Sequence, residues 1–368
     1  MTRNSFFKIL ILALIIATLG VLSIYSSTYQ KEGTQWQDIY KRQMLWLIIG
    51  LACFFFMSRF NYRKLWDANY FIYGAALFFL LLVFSLGVIR LGAQRWLKIA
   101  WFNFQPSEFA KLAIIIFLAR YFSRKSIDDT SLLSGKFGIF QGIILPFIFV
   151  AIPMFLIIEQ PDLGSGLMLM LVFVGLLYLT NVRLKYIFIL LLALILPLPF
   201  FWHFLHDYQK QRLLVFLNPN IDPLGAGYTV IQSRIAIGSG GFLGRGWLCG
   251  SQSQLYFLPE SHTDFIFATF SEQWGFLGSS LLILMYYLII RQGFIIAQRT
   301  GDSFGRLLAY GISLLLTLQV FINIAMNMGL APVVGLPLPM MSYGGSSILV
   351  TFIALGILVN IDRTRNVF

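Results

Sequence analysis

The chain alternates between long apolar stretches and polar connections that are mostly short. A helix rises ~1.5 Å per residue, so about 20 apolar residues cross the ~30 Å hydrocarbon core of a bilayer. Ten stretches approach that length, and we expect each to be a membrane-spanning helix. They cover roughly 9–26, 43–58, 70–89, 107–122, 137–158, 165–181, 184–204, 264–290, 304–330 and 344–361. The pattern predicts an all-α polytopic membrane protein, a bundle of about ten transmembrane helices.

Composition agrees with this prediction, because 58% of the residues are hydrophobic and only 11% are charged. The net charge of +12 would suit a nucleic-acid partner. However, the basic residues are spread over many short loops and form no stripe on one face, so we expect no nucleic acid. Two cysteines, Cys53 and Cys249, are too few for a disulfide framework. We expect residues 1–368 to form a single transmembrane domain.

Charge also predicts the orientation. If the N-terminus is cytoplasmic, the short inner loops are denser in Lys and Arg than the outer connections, which places both termini inside. The long connection 205–263, between helices seven and eight, is then periplasmic. A loop of this length is usually functional, and we expect it to fold onto the bundle with a short amphipathic helix around 230–237.

One stretch, 246–278, changes from a polar loop rich in Gly and Ser to the start of an apolar helix. Asp264 lies at this transition, and a carboxylate there is costly unless it has a partner or a task. We expect Asp264 to carry the chemistry, although capping of the following helix is a competing role. His262 and Glu272 are expected to be structural, Glu272 with a buried partner.

A second group of polar residues lies between Gly92 and Lys111. Pro106 suits the first turn of a helix and Ser107 could cap it. Glu108 and Lys111 are then three residues apart on one helical face. The pair either locks two helices together or supplies a cation for an anionic substrate group, and the sequence favours neither role.

Two further segments are predicted at the same level of the membrane. Asp162 lies in a tight turn, where a helix cap and a site role are equally plausible. Asn323 and Asn327 share a helical face and suit interhelical hydrogen bonds. Gly344 and Gly345 open the last helix, where backbone amides could face an anion.

Several classes of site are missing from the sequence. There are only three histidines, no cysteine pair with metal-ligand spacing, and no glycine pattern of a nucleotide-binding loop. Soluble nucleotide is therefore not the expected energy source. The substrate should arrive from the membrane already activated.

The ordered set of motifs resembles the SEDS (shape, elongation, division and sporulation) family, and its elongation members more than its division members. The resemblance spans the whole chain, and its joint order is far more specific than any single motif. One departure is Gln273, where a second Glu is expected. The matching segments are 92–96, 105–111, 160–166, 222–227, 252–255, 258–267 and 337–347.

The resemblance implies a peptidoglycan glycosyltransferase of the bacterial cytoplasmic (inner) membrane. Its substrate would be lipid II, an undecaprenyl-pyrophosphate-linked disaccharide-pentapeptide, polymerised at the outer face during elongation and rod-shape maintenance. Its partners would be a class B penicillin-binding protein, which cross-links the product, and the elongation machinery. The family's catalytic residue maps onto Asp264, and the residues that line its outer cavity map onto Arg95, Glu108, Lys111 and Asp162.

This chemistry needs one carboxylate base and positive charge for a pyrophosphate leaving group. Lys111, Arg95 or a bound divalent cation such as Mg²⁺ would supply that charge. Two other classes of function remain. A flippase for the lipid-linked precursor would use the same cavity without chemistry, and a scaffold for the penicillin-binding protein would need no polar residues at one depth.

Overall fold

The structure is a computed structural model. It describes residues 2–30, 36, 38–90, 93–99, 102–128, 138–180, 182, 184–196, 207–225, 227–255 and 257–365. The predicted span 184–204 is therefore described only as far as residue 196, and Gly92 of the second polar group lies outside the described residues.

Helices form most of the described chain, and each of the ten predicted spans coincides with one. The corresponding helices are α1 (Thr2–Thr28), α2 (Ile39–Arg59), α3 (Lys64–Leu86), α4 (Pro106–Asp128), α5 (Leu145–Glu159, preceded by a π-helical turn Phe140–Ile144), α6 (Leu163–Tyr178), α7 (Leu184–Ile195), α11 (Ile266–Arg299), α12 (Ser303–Asn327) and α13 (Gly345–Thr364). The long connection between α7 and α11 holds α8 (Asp207–Leu217), a 3₁₀ turn (Pro219–Ile221), α9 (Tyr228–Ser239) and the short α10 (Ser251–Gln254).

Seven helices of the described chain are long and apolar enough to cross a membrane, so the protein is a multi-pass membrane protein. The predicted amphipathic helix around 230–237 lies within α9. Its buried residues are spaced by three, which places one face of α9 against α11 and α12.

One element was not predicted. The third span was expected to continue to residue 89, but α3 ends at Leu86 and the chain turns into a three-stranded antiparallel sheet. The strands are β1 (Gly87–Arg90), β2 (Ala93–Ile99) and β3 (Phe102–Phe104). Pairing of Leu97 with both Gly87 and Phe104 fixes the register. The sheet covers the ends of α3 and α4 and carries Arg95 on its central strand.

The two ends of the bundle differ in character. At the end where α1 finishes at Thr28 and α12 at Asn327, called here the loop-rich end, lie the sheet, the long connection and the segment 328–344. At the opposite end, short connections are tied by Asn360, whose amide bridges Tyr62 N (3.0 Å) and Ser58 O (3.0 Å). The asymmetry concentrates irregular backbone at one end of the bundle.

The segment 328–344 is irregular because its three prolines cannot continue a helix. It is nevertheless buried, with Leu338 and Met341 fully enclosed. A β-carbon on Gly20 of α1 would stand 2.6 Å from Met341 O, so only glycine permits this approach. Gly20 lies about 12 Å before the end of α1. Irregular backbone at membrane depth is tolerated here because protein surrounds it.

Candidate functional site

Asp264 lies two residues before the first turn of α11, at the loop-rich end. Its backbone carbonyl accepts hydrogen bonds from the side-chain amides of Asn323 (3.0 Å) and Asn327 (2.9 Å), both fully buried on α12. Asp264 as a whole residue is half-buried. Its carboxylate makes no hydrogen bond within the described part of the chain. The predicted interhelical role of the two asparagines is therefore to hold the backbone of Asp264 and leave its carboxylate available.

The cap of α11 comes from another helix. Asn327 Oδ1 accepts a hydrogen bond from Ala268 N (3.2 Å), one of the amides that the first helical turn leaves without a partner. Phe265 occupies the cap position and provides no side-chain cap. The competing role for Asp264 as a helix cap is thus filled by Asn327 instead.

The segment 328–344 forms the wall facing Asp264. Ser342 Oγ donates to Thr263 O (2.6 Å), and Tyr343 N donates to His262 O (2.9 Å), so this segment is fastened to the backbone that precedes Asp264. Gly335 has φ +71°, and a β-carbon there would stand 3.5 Å from Asp264 Oδ2. A side chain at residue 335 would strain the backbone, and its β-carbon would lie in van der Waals contact with the carboxylate.

Arg95 reaches the site from β2. Its Nε donates to Gln160 O (3.1 Å) and its Nη2 donates to Pro161 O. The guanidinium is thereby fixed against the turn that carries Asp162. Two of its five N–H groups are used by these carbonyls, which leaves donors for another acceptor.

Asp162 connects the start of α6 with the start of α4. Its Oδ1 accepts from Ser165 N (3.1 Å) and so caps α6, which is one of the two roles that the sequence left open. Its Oδ2 accepts from Ser107 Oγ (3.1 Å) and Gln105 Nε2 (3.3 Å) at the start of α4. Ser107 was expected to cap α4 but donates to Asp162 instead, because the buried carboxylate needs donors on both oxygens.

The predicted Glu108–Lys111 pair is present on α4. Lys111 Nζ lies 2.7 Å from Glu108 Oε1, and the two side chains are only 1% and 3% exposed. Burial on both sides means that each charge depends on the other for compensation. The pair lies directly after Ser107 along α4.

The electrostatic surroundings of Asp264 gather residues from four parts of the sequence. The pKa of Asp264 is raised from 3.8 to about 6, mainly by burial and next by the negative charge of Glu260. The positive charges of Arg212 and Arg95 lower this pKa, and the negative charge of Asp162 raises it further. Arg95, Asp162 and Asp264, all predicted as site residues, therefore lie within electrostatic reach of one another. Glu108 and Lys111 are not among these neighbours.

Arg212 was missed by sequence reasoning. It lies on α8, where no local motif marks it, and only the fold brings it near Asp264. Together with Val215 and Val333 it lines an apolar crevice between α8, α9 and the segment 328–344. The one available signal was its position within the long connection 205–263.

The residues expected to be structural are placed accordingly. Glu272 is fully buried, and its carboxylate accepts from Gln252 N (2.9 Å) and Ser253 N (3.3 Å) at the start of α10. His262 packs between the rings of Trp36 and Tyr343. Gln273, which stands where the resemblance leads one to expect Glu, donates to Ser26 Oγ (2.7 Å) on α1.

No group of three or more His, Cys, Asp or Glu side chains within the described ranges is arranged to hold a metal ion. We therefore assign no residues to a divalent cation. Among the described residues, the positive charges that act on the Asp264 carboxyl are those of Arg212 and Arg95.

Comparisons with known proteins give a consistent result. The family model of FtsW/RodA/SpoVE cell cycle proteins matches residues 6–367. Peptidoglycan glycosyltransferase MrdB of Escherichia coli (strain K12) is 40% identical over 357 residues, which cover 97% of this chain and 93% of that protein. The probable peptidoglycan glycosyltransferase FtsW of Geobacter sulfurreducens (strain DL-1 / KN400) is 36% identical over 360 residues, covering 96% and 94%.

Solved structures share the fold over nearly the full length. A chain of a peptidoglycan synthase complex, studied for the structural coordination of polymerization and crosslinking, superposes with a TM-score of 0.82 and 31% identity, covering 98% of both chains. The crystal structure of the rod shape determining protein RodA of Thermus thermophilus gives a TM-score of 0.71 and 26% identity, covering 97% of this chain and 96% of that one.

Proposed function

The chain belongs to the FtsW/RodA/SpoVE family of cell cycle proteins, and we propose that it is a peptidoglycan glycosyltransferase that polymerises lipid II, with Asp264 as its general base. The observation that carries the assignment of Asp264 is its environment. Its backbone is clamped by Asn323 and Asn327, its carboxylate has no hydrogen-bond partner in the described chain, and two arginines lie within electrostatic reach.

The reaction needs one proton acceptor. The acceptor hydroxyl attacks the anomeric carbon of the donor, a C–O bond forms there, and the bond to the pyrophosphate breaks. Asp264 takes the hydroxyl proton as the attack proceeds. A pKa of about 6 keeps the carboxylate mostly ionised at neutral pH while leaving it basic enough to accept a proton.

The leaving group is an anion and needs positive charge, not a proton. Arg95 and Arg212 supply it, because both guanidinium groups influence the Asp264 carboxyl. Asp162 fixes the turn to which Arg95 is bonded, so its contribution is to position that arginine. Glu108 and Lys111 form a deeper pair on α4, and we assign Lys111 a further contact with the pyrophosphate.

The product linkage follows from a single displacement. A donor with an α-linked pyrophosphate gives a β-linked glycan when the anomeric centre inverts. One base suffices for this, whereas a retaining enzyme needs a second carboxylate as nucleophile. The assignment of one catalytic residue is consistent with that stereochemistry.

The partner assignment rests on the related complex that coordinates polymerization and crosslinking. We assign to this chain a class B penicillin-binding protein, which would cross-link the glycan strand as it forms. The similarity to MrdB and RodA favours a role with the elongation machinery. Membrane lipid surrounds the bundle, and no nucleic acid is expected.

Purified protein should polymerise lipid II in detergent or vesicles without an added nucleotide, because the pyrophosphate already activates the donor. The measurement is the length distribution of glycan product on a gel. Co-purification with a class B penicillin-binding protein should raise the rate. Translocation of lipid II across vesicles without polymer would contradict the enzyme assignment and favour the flippase, while neither activity would favour a scaffold.

The proposed orientation places both termini in the cytoplasm and the 205–263 loop in the periplasm, within a single domain of residues 1–368. Asn218 is exposed in that loop. In a chain with Cys53 and Cys249 replaced by serine, Asn218→Cys should react with an impermeant thiol reagent in cells with a permeabilised outer membrane.

Gly301 provides the matched control. It is exposed at the opposite end, and a β-carbon there meets no atom within 4 Å. Gly301→Cys should react only after the cytoplasmic membrane is broken. The reverse pattern of labelling would invert the proposed topology.

Asn327→Ala should lower both stability and polymerisation. The variant loses the cap on Ala268 N, which costs about 1–2 kcal/mol, and one of the two donors that hold the Asp264 carbonyl. Since small misplacements of a reacting group are expensive, we expect at least a ~10-fold loss in kcat with KM little changed. Thermal unfolding and lipid II polymerisation measure the two effects.

Asn360→Ala is the control for this prediction. Asn360 is also a buried asparagine that bonds the backbone of another element, but at the opposite end. It should cost similar stability without lowering kcat. Equal losses of kcat in the two variants would mean that Asn327 acts on stability alone.

A further inference from the structure

The loop from Gly240 to Gly246 provides hydrogen-bond partners to the backbone of α11 where that helix is broken. Helix α11 has 34 residues, a length of about 51 Å, and is broken at Gly275, where φ is +63° and ψ is −163°. This break deprives nearby amides and carbonyls of their usual partners four residues away. The loop supplies partners for these groups and is therefore held tightly against α11.

Four backbone hydrogen bonds join the loop to α11. Phe276 N and Leu277 N donate to Gly241 O (2.9 Å) and Phe242 O (3.1 Å). In the other direction, Arg245 N and Gly246 N donate to Glu272 O (3.0 Å) and Gln273 O (3.0 Å). Gly241, Gly244 and Gly246 have positive φ values of 54°, 86° and 98°, which allows the tight path. Four backbone groups of α11 beside the break are thereby hydrogen-bonded.

The side chains of this loop are apolar and outward-facing. Phe242 is 65% exposed and Leu243 is 73% exposed, next to Phe276 at 64% and Leu277 at 56%. The rings of Phe242 and Phe276 stack with centroids 5.9 Å apart. Phe276 and Leu277 belong to a helix that is long and apolar enough to cross the membrane. The medium that surrounds these two residues therefore also surrounds Phe242 and Leu243.

Contacts with α1 set the depth of the loop. Gln273 Nε2 bonds Ser26 Oγ, two residues before the end of the α1 span at Thr28. Phe276 and Leu277 lie about one helical turn further along α11, roughly 5 Å deeper. Trp247 stacks on Tyr25 with centroids 6.1 Å apart, and this aromatic pair suits the headgroup level. Phe242 and Leu243 thus lie below that level.

We propose that the Gly240–Gly246 loop is a membrane anchor, with Phe242 and Leu243 inserted among the acyl chains of the leaflet at the loop-rich end. This leaflet is the outer one in the proposed orientation. An insertion of about 5–10 Å is typical of apolar groups at the interface. Polar backbone enters that depth at a cost, and here the four hydrogen bonds to α11 reduce that cost.

The anchor has a consequence for the site. The loop lies between α9, which packs on α11 and α12, and α10, which the Glu272 carboxylate caps. Fixing the loop in the membrane therefore holds the long outer connection, including Arg212, at the level where the headgroup of a lipid-linked substrate lies. The proposal itself rests on the membrane location of the chain and not on its reaction.

Site-directed spin labelling tests the anchor. Leu243→Cys is made in a chain with Cys53 and Cys249 replaced by serine, labelled with a nitroxide, and reconstituted into vesicles of phosphatidylethanolamine and phosphatidylglycerol. Leu277→Cys serves as the membrane reference, and Leu224→Cys, at a residue 90% exposed in the outer connection, as the aqueous reference. Relaxation by oxygen reports lipid, and relaxation by a neutral nickel chelate reports water.

The label at residue 243 should match residue 277, with oxygen accessibility several-fold above that of residue 224 and nickel accessibility several-fold below it. Nickel accessibility equal to that of residue 224 would overturn the anchor and leave the loop in water. Protection from both reagents would mean that protein covers the loop, which also overturns it. Thermal unfolding at the temperature of the unlabelled parent chain verifies that each labelled variant is folded, and if the residue 243 variant is not folded, the neighbouring Phe242→Cys variant takes its place.

Discussion

Asp264→Asn should abolish most polymerisation of lipid II while the protein folds, inserts and binds its partner. The change keeps the size of the side chain and removes its charge and basicity. Loss of a general base costs on the order of 100-fold or more in rate. The measurement is the initial rate of polymerisation by purified protein, with thermal unfolding and co-purification of the penicillin-binding protein as the tests of folding.

Asp264→Ala separates the base from a structural role. A helix cap would tolerate Asn and fail with Ala. Because Asn327 already caps α11 at Ala268 N, we expect both variants to be folded and both to be inactive. Near-normal polymerisation by Asp264→Asn would remove Asp264 from the mechanism and leave the bundle and its orientation unchanged.

The pH dependence has two parts of opposite sign. As a base, Asp264 must be ionised, so the rate should fall as pH drops through about 6. The folded-state pKa is above the ordinary value of 3.8, so the folded state binds the proton more tightly than the unfolded chain. Stability should therefore decrease as pH rises from 3.8 to about 6. Asp264→Asn should lack this decrease, which differential scanning fluorimetry at several pH values would measure.

The helical fold was largely predictable because membrane spans are set by length and apolarity, which are local properties. The sheet was not. Residues 87–104 mix apolar and basic residues without clear alternation, and their pairing depends on the ends of α3 and α4. Asp264, Asp162 and the Glu108–Lys111 pair were identifiable because charge at the start of an apolar stretch is conspicuous.

Two features of the site could not be predicted because they join distant parts of the chain. Asn327 caps an amide 59 residues earlier, and its own neighbourhood indicates only a polar helical face. Arg212 approaches Asp264 through the packing of α8 against the segment 328–344. Its local sequence shows only a basic residue in a long connection, which is equally typical of arginines that contact only water. Such contacts are decided by tertiary structure, on which single-sequence patterns carry no information.

Substitutions in the Glu108–Lys111 pair should have large effects on both stability and polymerisation. Lys111→Met should destabilise the protein by ~3–5 kcal/mol, because it leaves the buried Glu108 carboxylate without its cation. Adding Glu108→Leu should recover that stability, since two buried charges are then replaced by apolar groups of similar size. Polymerisation should stay low in the double variant, because the pyrophosphate has lost a positive charge.

A second buried ion pair with the same three-residue spacing provides the control for these variants. Asp362 Oδ1 and Arg365 Nη1 lie 3.0 Å apart at the opposite end, also three residues apart, at the C-terminal end of α13, and are only 3% and 9% exposed. The double change Asp362→Leu with Arg365→Met should restore stability relative to its single variants and retain polymerisation. If the Glu108→Leu, Lys111→Met protein behaves in the same way, the α4 pair serves only to lock helices together. If stability returns and activity does not, the coupling between the two residues is structural and the charge of Lys111 acts on the substrate.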